Sequence, residues 1–91
     1  MSTKDAIIKQ CTSVLGQIVE DGSVPRNIRR AAEEARNVLF DVDVSPVVRA
    51  ASAMSILNEV SNDLNIPLHA RTLIWGIAGQ LERVSIDGID N

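Results

Sequence analysis

Apolar residues recur at intervals of three and four along four segments of the chain, at about 3–20, 25–40, 46–63 and 67–84. This spacing is typical of one face of an α-helix and predicts four amphipathic helices with a common core. The predicted core positions are Ile7, Cys11, Val14, Leu15 and Ile18; then Ile28, Ala31, Ala32, Ala35, Val38 and Leu39; then Val47, Ala50, Ala51, Ala53, Met54, Ile56, Leu57, Val60 and Leu64; and finally Ala70, Leu73, Ile74, Ile77, Leu81 and Val84.

Three prolines, Pro25, Pro46 and Pro67, are evenly spaced along the chain. Proline is tolerated in the first turn of a helix and disfavoured in its interior, so these residues predict where the second, third and fourth helices begin. Ser45 directly precedes Pro46 and is a suitable N-cap. The side chains between the prolines show no convincing repeat, so we interpret the spacing as the length of one helix and one loop.

Loops of four or five residues between helices of similar length favour antiparallel neighbours. We therefore predict an all-α single domain, an antiparallel up-and-down four-helix bundle. The alternative is a pair of stacked helical hairpins of the solenoid type, although such folds usually need about three repeats. The third helix is predicted to be the most central, because apolar residues cover more than half of its circumference. The tail, residues 85–91, has no helical pattern and is predicted to be loosely ordered.

The composition is 45% hydrophobic with two aromatic residues, Phe40 and Trp75, which predicts an aliphatic core. The formal net charge is −3, and neither half of the chain is basic, which argues against broad contact with nucleic acid. The one cysteine, Cys11, has no partner for an internal disulfide. No apolar run has a membrane-spanning length and the start lacks a signal-peptide pattern, so we expect a cytoplasmic protein without membrane association.

Trp75 departs from the pattern of the fourth helix, because it lies about 150° from the centre of the apolar stripe. The small and apolar residues that share its side predict an interface for a second copy or another protein partner. Alternatively, the ring folds over a neighbouring helix. The residues of this candidate interface are Leu68, Thr72, Trp75, Gly76 and Gly79.

Four arginines, Arg26, Arg29, Arg30 and Arg49, suggest a second hypothesis, a nucleic-acid-associated accessory protein. The alternative is a solvated surface on which Arg29–Glu33 and Arg30–Glu34 form ion pairs at helical spacing. The interleaved glutamates and the absence of aromatic residues beside the arginines favour this alternative.

A third hypothesis is an enzyme with an unrecognised carboxylate or histidine site. It would require a pocket that brings His69, the one histidine, close to an acidic residue. Asp41 and Asp43 could bind a divalent cation, but charge near a helix start and turn formation are the simpler explanation. Cys11 is interpreted as a buried thiol. Because no nucleophile motif, phosphate loop or metal-ligand spacing is present, we predict a non-enzymatic protein and assign no catalytic, cofactor-binding or metal residues.

Three segments, residues 23–29, 45–51 and 66–71, carry a family resemblance. They read Ser-Val-Pro-Arg-Asn-Ile-Arg, Ser-Pro-Val-Val-Arg-Ala-Ala and Ile-Pro-Leu-His-Ala-Arg. With them, nearly the whole chain resembles a small archaeal family of uncharacterised (UPF-type) proteins of about ninety residues. The resemblance implies an archaeal, cytoplasmic protein with a four-helix fold, and it implies no activity, cofactor or catalytic residue.

Overall fold

The computed structural model of the chain describes residues 3–85. Its helices are α1 (Thr3–Val19), α2 (Arg26–Phe40), α3 (Pro46–Ser61) and α4 (Leu68–Ser85). Each helix packs against its neighbours in sequence, and α4 also packs against α1, which closes the ring. Two stacked hairpins would instead pair α1 with α3 and α2 with α4, so the solenoid alternative is wrong. The predicted all-α up-and-down bundle is confirmed.

The core is aliphatic, as the composition predicts. Its largest fully buried side chains come from all four helices and the first loop: Leu15, Ile18, Val24, Ile28, Leu39, Leu57, Ile74, Leu81 and Val84. Burial of one such side chain is worth about 1.5–3 kcal/mol relative to its exposure. The most deeply buried helix is α1, with seven buried positions against four in α3. The third helix nevertheless packs more extensively against the other helices than any other helix does, which agrees with the expectation that it is the most central.

Two predicted core positions of the third helix face solvent instead. The helix ends at Ser61, so Leu64 lies in the loop that follows and is 95% exposed. Ala51 lies within the helix but on its outer side. At the end of the chain, Ser85 belongs to α4 rather than to the predicted tail. The rest of the predicted tail, residues 86–91, lies outside the described residues, so its loose order stays a prediction.

Each of the three loops has, at its first or second residue, an aspartate whose carboxylate stabilises the turn. Asp21, Asp41 and Asp63 each accept, through Oδ1, the backbone N–H two residues later, at 2.9, 3.1 and 2.7 Å respectively. The aspartate carbonyl also accepts the N–H three residues later. Such Asx turns reverse the chain within a few residues. This turn engages the carboxylate of Asp41 and the backbone N–H of Asp43, and the described residues contain no group of three potential metal ligands.

An arginine near the start of each of α2, α3 and α4 then donates back to a loop carbonyl. Arg29 Nε donates to the carbonyl of Val24 at 2.9 Å, and Arg49 Nε donates to that of Val44 at 2.8 Å. Arg71 does the same through Nη2 to its own loop at 3.2 Å. A carbonyl that lies outside the helical ladders is thereby satisfied in each of the three loops.

The two helical hairpins, α1–α2 and α3–α4, are related by a constant shift along the sequence, the one that carries Pro25 onto Pro67. We call this separation the hairpin shift. Residues related by it are both buried at many positions, and the loop features repeat in the same way. Burial therefore repeats although the side chains do not, since large residues in one hairpin often correspond to alanines in the other. The buried pairs include Leu15 and Leu57, Val24 and Ile66, Ile28 and Ala70, Ala32 and Ile74, Ala35 and Ile77, and Leu39 and Leu81.

The hairpins exchange equivalent contacts at one end of the bundle. His69 Nε2 lies 2.8 Å from Asp21 Oδ2, and Asn27 Nδ2 donates to Asp63 Oδ2 at 2.9 Å. The hairpin shift carries Asn27 onto His69 and Asp21 onto Asp63. The start of one hairpin's second helix thus binds the loop of the other hairpin, in both directions.

Candidate interaction surface on the last helix

The outer side of α4 presents exposed residues of very different size. Trp75 is 58% exposed and Leu68 is 75% exposed, whereas the buried residues of the helix, such as Ile74 and Leu81, point into the core. Thr72, Gly76 and Gly79 are also exposed. The structure therefore brings all five residues of the predicted interface together on one surface, which we call the α4 surface (Leu68, Thr72, Trp75, Gly76 and Gly79). The ring of Trp75 is only partly covered by its own chain.

The glycines of the α4 surface face open space. A Cβ atom added at Gly76 or at Gly79 would meet no heavy atom within 4 Å. Each glycine costs about 1 kcal/mol relative to alanine in a helix interior. No close packing within the described residues accounts for this cost. The two glycines thus form an open, small-residue strip beside a large ring.

Arg71 flanks the ring of Trp75. Its Cζ lies 5.9 Å from the ring centroid, within the range of a cation–π interaction, while Nη2 donates to the carbonyl of Asp63. Its Nε is buried and has no hydrogen-bond partner among residues 3–85. The guanidinium thus links the ring to the loop that precedes α4 and leaves one donor unused.

A shallow groove of about 220 Å³ runs beside the α4 surface, between α1 and α4. Its lining is mainly apolar and comprises Gln10, Cys11, Val14, Thr72, Leu73, Gly76, Ile77 and Gln80. The volume is below the roughly 300–1,000 Å³ of most small-molecule sites. Gly76 and Thr72 belong to both features, so the groove extends the α4 surface towards α1. It has room for a protruding side chain of a partner.

Cys11 lies in the core at the base of this groove, as expected for a buried thiol. It is a free cysteine and only 2% exposed. Burial raises the pKa of the thiol to about 11, so the sulfur is protonated at neutral pH. A thiol in this state is a poor nucleophile.

His69 does lie close to an acidic residue, but the geometry differs from that of a catalytic triad. The same atom, Nε2, lies 2.8 Å from Asp21 Oδ2 and 3.5 Å from Ser23 Oγ. In a triad the two ring nitrogens contact the serine and the aspartate separately. His69 lies on the surface, 53% exposed at its side chain, and does not line the groove. It connects the first loop to α4.

Hydrogen bonds hold Asp21 in its ionised form. Ser23 donates to the carboxylate through both its hydroxyl, at 2.6 Å, and its backbone N–H, and His69 contributes a further bond. Together these bonds lower the pKa of Asp21 from 3.8 to about 2, and the bond from the Ser23 side chain has the largest effect. The pKa of Asp63 is also lowered, by the backbone N–H of Asn65 and then by the side chain of Asn27.

Three of the four arginines of the second hypothesis line one cleft, and the fourth is buried elsewhere. Arg49 is 8% exposed and donates to the carbonyls of Val44 and Leu39, so its proposed contact with phosphates is wrong. Arg26, Arg29 and Arg30 line a cleft of about 180 Å³ together with Val19 and Glu33. The side chain of Arg29 is half-buried there, whereas Arg26 and Arg30 are exposed.

The ion pairs expected on the outer side of α2 are absent. Neither Arg29–Glu33 nor Arg30–Glu34 forms, since His69–Asp21 is the one ion pair within residues 3–85. The charges of Arg30, Glu33 and Glu34 are therefore exposed to solvent without direct pairing, whereas Arg29 is half-buried.

The sequence reasoning missed a second exposed apolar group, around the loop between α2 and α3. Phe40, Val42 and Val48 are all more than half exposed, and the guanidinium of Arg36 lies 5.9 Å from the Phe40 ring centroid. The sequence did contain a signal for this group, because Phe40 and Val42 are apolar but lie outside every predicted core stripe. Across residues 3–85, no helix combines the length and the apolar character needed to cross a membrane.

Comparisons with known proteins agree with the fold. Residues 1–84 match the model of an uncharacterised protein family, UPF0147. A UPF0147 protein of Thermococcus kodakarensis is 54% identical over 79 residues, which cover 86% of this chain and 95% of the relative. One from Methanosarcina acetivorans is 48% identical over 89 residues, covering 96% and 92% of the two chains.

Two crystal structures are also similar. A UPF0147 protein from Thermoplasma acidophilum has a TM-score of 0.83 and 31% identity, covering 88% of this chain and 94% of that one. A second protein of unknown function has a TM-score of 0.82 and 45% identity, covering 93% and 91%. The fold, the helical pattern and these matches over nearly the whole chain give one conclusion: the protein belongs to the uncharacterised family UPF0147, which has archaeal members.

Proposed function

We propose that the protein is a non-enzymatic interaction module that binds another protein chain through the α4 surface. The observation that carries the proposal is the exposed ring of Trp75 beside Gly76 and Gly79, where a Cβ atom would meet nothing. Tryptophan is enriched among the residues that dominate binding energy at protein interfaces. A strip of small residues lets a partner backbone approach closely. The α4 surface thus places an apolar side chain, Trp75, next to a strip of glycines that a partner backbone can approach closely.

The chemistry of the polar groups supports binding over catalysis. The thiol of Cys11 is buried and protonated, and His69 is engaged by Asp21 at the surface. Arg29 and Arg49 use donors to satisfy loop carbonyls, which weakens the alternative of a nucleic-acid-associated protein. A cytoplasmic location is part of the proposal, and it agrees with a cysteine that is free rather than disulfide-bonded.

Site-specific photo-cross-linking tests the proposal. A benzophenone amino acid replaces Trp75 in the protein produced at its natural level in its own cells, and Glu34, exposed on α2, is replaced as the matched control. We expect a discrete cross-linked product from position 75 that is absent from position 34, with the attached chain identified by mass spectrometry. If position 75 yields no product, or both positions yield the same products, the proposed function is wrong.

A further inference from the structure

We infer that the chain bound at the α4 surface is a second copy of this protein, with the two α4 helices antiparallel across a two-fold axis. This inference rests on the proposed function and adds the identity and orientation of the partner. In a two-fold interface the same surface serves both chains, so it must be complementary to itself. The α4 surface meets this requirement in both shape and charge.

The shape argument follows from the order of residues along α4. When two antiparallel helices cross between positions 75 and 76, Trp75 of each copy lies level with Gly76 of the other, and the two rings lie on the same flank of the pair. Thr72 of each copy then lies opposite Gly79. The position level with each ring carries no side chain and is open in the single chain, which leaves space for the rings. A second two-fold pair forms at the ends, where the aliphatic stem of Arg83 lies over the exposed Leu68 of the other copy.

The charge argument rests on Arg71 and Glu82. Their separation along α4 is close to three full turns, so they lie within about 20° of each other around the helix. Both are on the flank of α4 next to Trp75, one near each end of the helix. Neither has an ion-pair partner among the described residues.

Antiparallel pairing brings these charges together. With the crossing between positions 75 and 76, Arg71 of one copy falls within about two residues, roughly 3 Å along the axis, of Glu82 of the other. Two-fold symmetry produces this pair twice. A parallel arrangement would place Arg71 against Arg71 and Glu82 against Glu82. The charge pattern therefore favours the antiparallel dimer.

A charge-exchange experiment tests the orientation. In Glu82→Arg, both inter-chain contacts become Arg–Arg, and in Arg71→Glu both become Glu–Glu. We expect each variant alone to self-associate at least about tenfold more weakly than the wild type, since two attractions become two repulsions. An equimolar mixture of the two variants restores attraction in a heterodimer. The readout is mass against concentration by sedimentation equilibrium, and Glu34→Arg is the control with the same charge change away from the surface.

Salt dependence provides a second measurement that needs only Glu82→Arg. Arg71 also binds the carbonyl of Asp63 within its own chain, so Arg71→Glu can disturb the fold. Screening weakens attraction and repulsion alike. Added salt should therefore weaken the wild-type dimer and strengthen that of Glu82→Arg.

The inference is overturned if the wild type keeps the mass of one chain, 9.9 kDa, at every concentration. It is also overturned if the dimer forms but responds equally to Glu82→Arg and Glu34→Arg. In both cases the proposed function still stands if position 75 cross-links to an identified protein. The absence of any cross-link at position 75 removes the proposed function itself.

Discussion

Arg49 of α3 donates through Nη1 to the backbone carbonyl of Leu39 at 2.8 Å, across the turn that joins α2 to α3. The same guanidinium donates through Nε to the carbonyl of Val44. Both bonds form where Arg49 is buried, so water cannot easily replace them. A single charged side chain thus supplies the hydrogen-bond donors for one carbonyl at the end of α2 and one in the loop that follows it.

Replacement of Arg49 should therefore be costly. In Arg49→Met the aliphatic volume is largely kept, but two carbonyls lose their donor. We expect the free energy of unfolding to fall by about 2–4 kcal/mol, since each buried unsatisfied group costs about 1–3 kcal/mol. Urea unfolding followed by circular dichroism measures the change. The matched control is Arg30→Met on the exposed side of α2, for which we expect a change within about 0.5 kcal/mol. Equal losses in the two variants would contradict this role.

Acid should weaken the contact between the first loop and α4. The folded pKa of Asp21 lies at about 2, below its ordinary value of 3.8, so its contribution to stability is present above pH 3.8 and is lost as pH falls towards 2. We expect Asp21→Asn to be less stable than the wild type at pH 6 and to approach it near pH 2. Asp43→Asn, at the third position of the equivalent turn between α2 and α3, is the control. A stability difference between Asp21→Asn and the wild type that stays constant from pH 6 to pH 2 would contradict the prediction.

Glycine-to-alanine substitutions should separate two kinds of glycine. A Cβ atom at Gly16 would lie 3.1 Å from Nη1 of Arg36, whereas Gly76 and Gly79 have open space. We expect Gly79→Ala to raise the stability of the monomer by about 0.5–1 kcal/mol through helix propensity, and Gly16→Ala to gain less because Arg36 must move. Thermal unfolding at low protein concentration measures both, and an equal gain at the two positions would contradict the distinction.

The same substitution should act in the opposite direction on association. An added methyl group at Gly76 takes up space level with the partner's Trp75, so Gly76→Ala should weaken the dimer while it stabilises the single chain. Sedimentation equilibrium and unfolding of the same sample test both signs. A Gly76→Ala protein that associates as strongly as the wild type would remove the close approach from the proposed interface.

Cys11 should be almost unreactive in the folded protein. Its thiol is 2% exposed and its pKa is about 11, so little thiolate is present at pH 8. We expect labelling by a chromogenic disulfide reagent to be complete in urea and slower by at least about a hundredfold without it. A cysteine placed at the exposed position Ser13, in a Cys11→Ala background, is the control and should react rapidly. Rapid labelling of native Cys11 would show that the groove opens to its base.

The helices and most of the core could be predicted because burial follows a period of about 3.6 residues that is written in the sequence. The same phase argument placed Trp75 on the outer side. Leu64 could not be placed, because the end of α3 depends on the turn at Asp63 rather than on hydrophobicity. The role of Arg49 was equally hidden, since its acceptors are backbone carbonyls whose positions depend on the path of the loop.

Contacts between distant segments escaped the sequence for a different reason. Asp21 and His69 lie in different hairpins, and no sequence motif around either residue identifies the other as its contact partner. The hairpin shift was hidden because Ala32 corresponds to Ile74 and Ala35 to Ile77. A repeat of burial rather than of residue identity becomes visible only when both hairpins are packed.

The relation between the hairpins has a consequence for how such a fold could originate. Two copies of a chain half as long, each a single hairpin, would already place the start of the second helix of each copy against the loop of the other. The loop between α2 and α3 then serves as a covalent tether that turns an association of two chains into folding of one. Two tethered copies would be free to diverge, and the tryptophan of α4 has no counterpart in α2, where the equivalent residue is Glu33. A surface for a new partner can thus arise on one half while the other half maintains the scaffold.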